Sequence, residues 1–245
     1  SKIPKETTII GIEMSKQYAL KNLGYEVKVI FGQNGSNVMD KESLKILKEN
    51  NIGFYKTKSL PSGKNFLMEI YGFFQSLIYL LKEKPDILHC ASPKACVLGG
   101  LVAKIIGIKC LVLAITGFGY LFTEDDEKRF SLKKLLIKNF FCSLLYFVCK
   151  RKNIRAIVQN NDDLNELKNL TNIKKEDIVL IKGSGVNVNR FNNLSFSDKR
   201  NIVLFPGKVT YHKGIKEFFY ASKHLAKEFQ NWKFAVAGEE DYDSR

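Results

Sequence analysis

The stretch from Asn201 to Gly214, NIVLFPGKVTYHKG, constrains the fold more than any other. Ile202 to Phe205 is a continuous apolar run of strand type. Pro206 and Gly207 interrupt it, and Gly214 opens the helical pattern IKEFFYASKHLAKEF. A strand, a glycine turn and a helix start make one half of a nucleotide-binding unit. The free N–H groups and positive dipole end of such a helix suit a diphosphate. Lys208 and Lys213 would add point charges there. The same residues also read as an ordinary strand–loop–helix with solvated lysines.

Strand-type runs alternate with helical patterns along the rest of the chain, which predicts an α/β protein with a mostly parallel sheet. Strands are expected over Val27–Phe31, Ile52–Lys56, Ile87–Cys90, Leu111–Ile115, Ala156–Gln159, Ile178–Ile181 and Trp232–Ala237. Helices are expected over Glu13–Leu23, Lys41–Asn50, Phe66–Lys84, Ala95–Ile106, Ser131–Lys152 and from Asn161 to Leu170, with Asn161-Asp162-Asp163 as an N-cap. The helix after residue 66 is apolar almost all round, so it must be buried or lie against something apolar. No strand is read ahead of Glu13, so the first strand of the first βα unit is expected to be absent. The polar linker Ser195–Arg200 divides the expected domains into residues 1–197 and 198–245. Glycine loops around Gly11, Gly117, Gly183 and Gly207 fall at carboxyl ends of strands, the edge at which open α/β sheets bind ligands. A ligand held by two such loops from different domains would lie in an interdomain cleft.

The 245 residues carry a formal net charge of +14, which favours an anionic partner: nucleic acid, anionic lipid or a phosphorylated substrate. The five cysteines form no CxxC pair and the three histidines show no zinc spacing, so reduced, buried thiols and no metal site are expected. The longest apolar stretch, Phe140–Cys149, is too short to span a membrane, which takes about 20 residues. The helix of residues 131–152 has two readings. It is a core helix with solvated lysines, or it rests on an anionic membrane surface with Phe140, Phe141, Tyr146 and Phe147 in the interface.

Several stretches resemble family 4 retaining glycosyltransferases of the GT-B fold, in the branch that builds capsular and lipid-linked oligosaccharides. They are KPDILHCASPKA, LAITGFGYLF, VQNNDDL, GSGVNVNRF and FPGKVTYHKGIKEFFYA, in the family's order. Gly11-Ile12-Glu13 is similar to the family's turn after the first strand. The resemblance implies two Rossmann-like domains with parallel sheets, the first lacking its first strand and the second truncated, and an inactive isolated fragment.

The resemblance also supplies roles. Lys208 and Lys213 would neutralise the donor diphosphate as it leaves. Gly207 would let the backbone approach that phosphate, Gly238 would sit near the nucleotide, and Gly11, Gly117 and Gly119 would line the opposite wall of the cleft. His89, Ser92 and Lys94 are the acceptor-side candidates. No metal or bound cofactor is implied; a nucleotide-sugar, a UDP-sugar, is the substrate. Departures accompany the likeness: Lys208 stands where many relatives have Arg, Asn187 where they have Asp, and Thr116 where other branches have His. The family's paired glutamates match nothing in the chain, since Glu239 and Glu240 directly follow a strand and read as loop residues.

The activity implied is transfer of a hexose or N-acetylhexosamine to a polyprenyl-diphosphate-linked glycan at the cytoplasmic face of the membrane, by a peripheral protein. A non-catalytic basic module on anionic lipid or nucleic acid is the alternative from another class, although no nucleic-acid motif is present and no nucleic-acid partner is expected. A nucleotide-sugar isomerase on the same scaffold is the third reading.

Overall fold

The computed structural model describes residues 8–11, 19–32, 37–58, 66–118, 122, 132–183, 185, 188, 201–207, 209–210 and 213–238. The chain divides into two compact units, Ser1–Ser184 and Gly185–Arg245. The expected division after residue 197 falls in a stretch, 189–200, that lies outside the described residues. The fold class is the expected one: α/β, with parallel sheets of the GT-B, Rossmann-like type.

The first unit is built on a seven-stranded sheet. Its strands are β1 (Thr8–Gly11), β2 (Glu26–Phe31), β3 (Gly53–Lys56), β4 (Ile87–Ala91), β5 (Cys110–Ile115), β6 (Ile154–Val158) and β7 (Ile178–Leu180). They lie in the order β3-β2-β1-β4-β5-β6-β7, and every pairing is parallel. The expectation that the first strand is absent is therefore corrected. β1 is present and lies between β2 and β4. Its sequence, TIIG, has only two large apolar residues and follows the charged Lys5-Glu6. A strand that short is recognised by its neighbours on both sides, which local pattern does not contain.

The helices are α1 (Asn37–Glu49), α2 (Phe66–Glu83), α3 (Pro93–Ile105), α4 (Leu132–Cys149) and α5 (Asn161–Leu170). Residues 19–22 form the described end of the helix expected after β1, closed by Gly24 at φ 89°. Strand order runs one way from β1 to β3 and the other way from β3 to β7. Right-handed crossovers therefore put α1 on one face of the sheet and α2, α3 and α4 on the other. The cores agree. Val29, Leu47 and Ile52 cluster with Phe31 and Phe54 on the α1 face. Ile30, Leu80, Leu88, Cys90, Leu111, Leu113, Leu145 and Val148 form the larger cluster opposite.

α3 is pressed onto β4. A Cβ at Gly99 would come within 2.4 Å of Cys90 Sγ, and one at Gly100 within 2.3 Å of Val148 Cγ1 on α4. The atoms that make this close approach belong to side chains. Burial pushes the Cys90 thiol up to about 12 and Cys149 up to about 11, so these cysteines behave as small apolar residues. All five cysteines are free thiols.

One local expectation shifts. The N-cap of α5 is Asn160, whose Oδ1 accepts from the Asp163 N–H at 2.7 Å, one residue before the expected cap. On α4, Leu132, Leu136, Phe140, Leu144 and Val148 do not share one face. The first three are exposed, Leu144 is half-buried and Val148 is buried. Steps of four residues overshoot a 3.6-residue turn by about 40° each, so such a row winds from solvent into the core. The α2 helix lies against the apolar core on one side only. Its inner side packs Phe73, Leu77, Tyr79 and Leu80 onto the core, while Leu67, Tyr71, Phe74, Ile78 and Leu81 stay exposed.

The second unit, as described, is one βαβ motif: β8 (Ile202–Pro206), α6 (Ile215–Leu225) and β9 (Lys233–Ala237), with β8 and β9 parallel. Its centre is the ring cluster Phe205, Phe218 and Phe234, with centroids 5.4 and 6.2 Å apart in sequence. Among the described residues, no helix of either unit is long and apolar enough to cross a membrane.

Candidate functional site

Reversal of strand order between β1 and β4 has a chemical consequence. The connections leaving these two neighbours go to opposite faces of the sheet, which opens a crevice at their carboxyl ends. Gly11 is the last residue of β1 and lies directly opposite His89 of β4. His89 in turn lies opposite Val112 of β5. Gly11 is thus brought to one sheet edge with His89 and Ser92, far from it in sequence, and Gly117 follows the end of the adjacent β5.

His89 is 7% exposed, on the opposite side of β4 from Leu88 and Cys90, which point into the larger core. Ser92 occupies the single position between β4 and α3. It sits at φ 81°, ψ 148°, a region that costs a residue with a side chain about 1–3 kcal/mol. It is held there from three sides. Its N–H donates to Ala114 O at 3.2 Å, its carbonyl accepts from the Cys96 N–H at 2.9 Å, and its Oγ accepts from the Ala95 N–H at 3.5 Å. Pro93, at the first helical position, has no N–H to lose. Lys94 pairs with Glu69 of α2 at 2.6 Å. No local sequence signal marks that carboxylate, because nothing local brings residue 69 to residue 94. Gly117, at φ 125° with open space around its missing Cβ, turns the chain away from β5.

In the second unit, Gly207 follows β8 and its N–H donates to Ala237 O at 2.9 Å, with Gly238 the next residue beyond β9. Phe205 Cε1, at 4.0 Å, is the nearest atom a Cβ at Gly207 would meet, and its backbone does not occupy the left-handed region. Among the described residues, neither packing nor backbone conformation therefore requires glycine at 207. Gly214 caps α6 in the left-handed conformation at φ 81°, and no side chain caps the helix N-terminus. The Lys213 side chain is exposed, and its backbone N–H donates to Thr210 O at 3.1 Å. Lys208, Gly119, His212, Glu239 and Glu240 lie outside the described residues. Among the described residues no group of three His, Cys, Asp or Glu is placed to hold a metal ion.

This chain is similar in sequence to a glycosyltransferase. The relative is the N,N'-diacetylbacillosaminyl-diphospho-undecaprenol alpha-1,3-N-acetylgalactosaminyltransferase of Campylobacter jejuni, 26% identical over 191 residues. The match covers 72% of this chain and 48% of the relative, so the chain spans about half the length of the curated relative it matches. No protein-family model matches the chain. Solved structures share the fold at low identity. The UDP-GlcNAc 2-epimerase of Neisseria meningitidis bound to UDP-GlcNAc aligns with a TM-score of 0.60 at 12% identity, over 98% of this chain and 67% of its own. The sucrose-phosphate synthase of Thermosynechococcus elongatus aligns with a TM-score of 0.59 at 10% identity, over 97% and 72%. LpCGTa in complex with UDP aligns with a TM-score of 0.56 at 9% identity, over 96% and 71%.

Proposed function

We propose that the protein is a retaining glycosyltransferase that moves a sugar from a UDP-sugar to a glycan acceptor carried on a polyprenyl diphosphate, at the cytoplasmic face of the membrane. The sequence likeness to a transferase over 191 residues carries this reading. Support comes from the fold, shared with proteins solved with UDP-GlcNAc and UDP, and from Gly207, a glycine for which the described residues give no reason. A phosphate approaching the backbone supplies one.

In this reading, the bond from the anomeric carbon to the diphosphate breaks as a bond to an acceptor hydroxyl forms, and negative charge develops on the departing diphosphate. Lys208 and Lys213 stabilise that charge, with the uncapped N-terminus of α6 contributing its dipole. Gly207 and Gly238 bind the donor from the second unit, and Gly11, Gly117 and Gly119 from the first. His89, Ser92 and Lys94 serve the acceptor side. No metal is assigned to the reaction.

The test is a transfer assay on the intact protein with UDP-sugars and a polyprenyl-diphosphate-linked acceptor, with products identified by mass spectrometry. Transfer is expected, and Lys213→Ala is expected to lower kcat/KM by on the order of 100-fold and to weaken donor affinity. Wild-type turnover by Lys213→Ala would remove the lysine from the reaction. The likeness to epimerase structures sustains a second reading, a nucleotide-sugar isomerase. A donor converted to its epimer without any acceptor would establish it in place of transfer.

A further inference from the structure

Ion pairs lie at both edges of the first unit's sheet. Lys28–Glu83, Lys109–Asp86 and Arg155–Asp177 stand toward the amino edge, where α2 ends and β4, β5 and β7 begin. That edge faces away from the crevice. Lys94–Glu69 lies at the other edge. Glu69 is in the first turn of α2, and Lys94 is the second residue of α3. Both helices start at the carboxyl ends of parallel strands, α3 directly after β4. The pair therefore stands beside the crevice between β1 and β4.

The geometry of the pair limits what it can bind. Lys94 Nζ is 2.6 Å from Glu69 Oε2, and the two side chains keep 37% and 15% exposure, within reach of a ligand. An ammonium group answered at that distance presents little net charge beyond it. A phosphate arriving there would meet the carboxylate as well as the ammonium. A sugar meets no such repulsion. One of its hydroxyls can donate to the carboxylate while the neighbouring hydroxyl on the ring accepts from the ammonium. Hydrogen bonds to ionised groups are the stronger kind. The pair is also held in place. α3 starts at Ser92, whose N–H and carbonyl are bonded to Ala114 and Cys96, and it is pressed onto β4 at Gly99. That fixes the root of the Lys94 side chain, and Glu69 fixes its end, so less rotamer freedom is lost when a ligand arrives. Stability gives little reason for the pair, because ion pairs open to solvent contribute little.

We propose that Glu69 and Lys94 together recognise adjacent hydroxyls on the sugar of the acceptor, and not its diphosphate. The inference rests on the transfer reading for the existence of a sugar-bearing acceptor, and it names the part of that acceptor this edge of the sheet holds.

Calorimetry on the intact protein without donor tests it, comparing a short-chain polyprenyl diphosphate that bears an N-acetylhexosamine with the same lipid lacking the sugar. The sugar is expected to tighten binding by on the order of tenfold. Glu69→Gln and Lys94→Met are each expected to erase most of that preference, to leave affinity for the bare lipid within about twofold, and to keep the melting temperature nearly in place. The two changes together are expected to lose no more than either alone, because the groups act as a unit. In the transfer assay each variant is expected to raise the acceptor KM by about tenfold and leave the donor KM unchanged. A grip on the diphosphate would instead make Glu69→Gln tighten the bare lipid and Lys94→Met weaken it, and either result overturns the proposal. So does a wild-type protein with no preference for the sugar-bearing lipid, a preference that survives in both variants, or a fallen melting temperature with both affinities reduced alike. Preference for the sugar without transfer from any UDP-sugar would end the transfer reading and leave this recognition standing. Transfer with the preference intact in both variants would do the reverse.

Discussion

Two of the molecule's strand-to-helix turns at carboxyl edges are made in opposite ways. Between β4 and α3 there is one residue, Ser92, and nearly every polar group of the turn is used by the protein itself. Its strand is buried, and its helix lies so close that two glycines are compulsory. Between β8 and α6 there are eight residues, 207–214, no side-chain cap and a mostly exposed strand. The first turn has its conformation imposed by surrounding packing. The second is looser where it is described: a Cβ at Gly207 would meet only Phe205, at 4.0 Å, and Gly214 starts the helix without a side-chain cap. Density of packing thus separates the two turns.

The sharpest way to break this contrast is to add the same side chain to both. Gly100→Val is expected to cost about 3 kcal/mol or more in urea unfolding, because the new atoms meet Val148 with no room to relax. Gly207→Val is expected to change stability by only about 0.5 kcal/mol, while reducing UDP binding measured by calorimetry. Equal destabilisation at the two sites would erase the distinction.

Next in size is the Glu83 network beneath the first unit. Hydrogen bonds from Lys28 and then Tyr55 hold the Glu83 carboxyl below its ordinary range. A depressed carboxylate contributes stability above its ordinary titration, near pH 4.5, and loses it as pH falls further. Glu83→Gln is therefore expected to cost about 1–3 kcal/mol at neutral pH and to flatten the acid limb of a melting-temperature profile. A variant with the same acid limb as wild type would show the network to be inert.

The smallest effect is expected at Ser92. Ser92→Gly relieves the strained φ but surrenders a cap and some unfolded-state restraint, for a net gain of about 1 kcal/mol. If Ser92 also touches the acceptor, activity should fall while stability rises. A variant that gains stability and keeps full activity would leave Ser92 a purely structural residue.

How much of this was legible beforehand differs between the same two regions. NIVLFPGKVTYHKG declares its strand, turn and helix through residues in direct succession, and the helix start at Gly214 is where the pattern puts it. The first unit's edge was legible only in pieces. His89 and Ser92 stood out within their own loop, but the partnership of Gly11 with His89 joins residues 78 positions apart across a strand that had not been recognised. The Lys94–Glu69 pair and the exposed α2 stripe were hidden for a related reason. Helical periodicity shows which residues share a side, not which side another element will cover.

The order of residues by itself determined the alternation of strands and helices, the parallel class of the sheets, the glycine turns and the excess of positive charge, because each follows from neighbours within a few positions. Tertiary structure alone decided that β1 occupies the middle of a sheet, that the reversal of strand order falls between Gly11 and His89, and that α2 keeps one apolar row exposed. These are properties of strand adjacency and of shared burial, and both arise only when segments distant along the chain compete to exclude the same water.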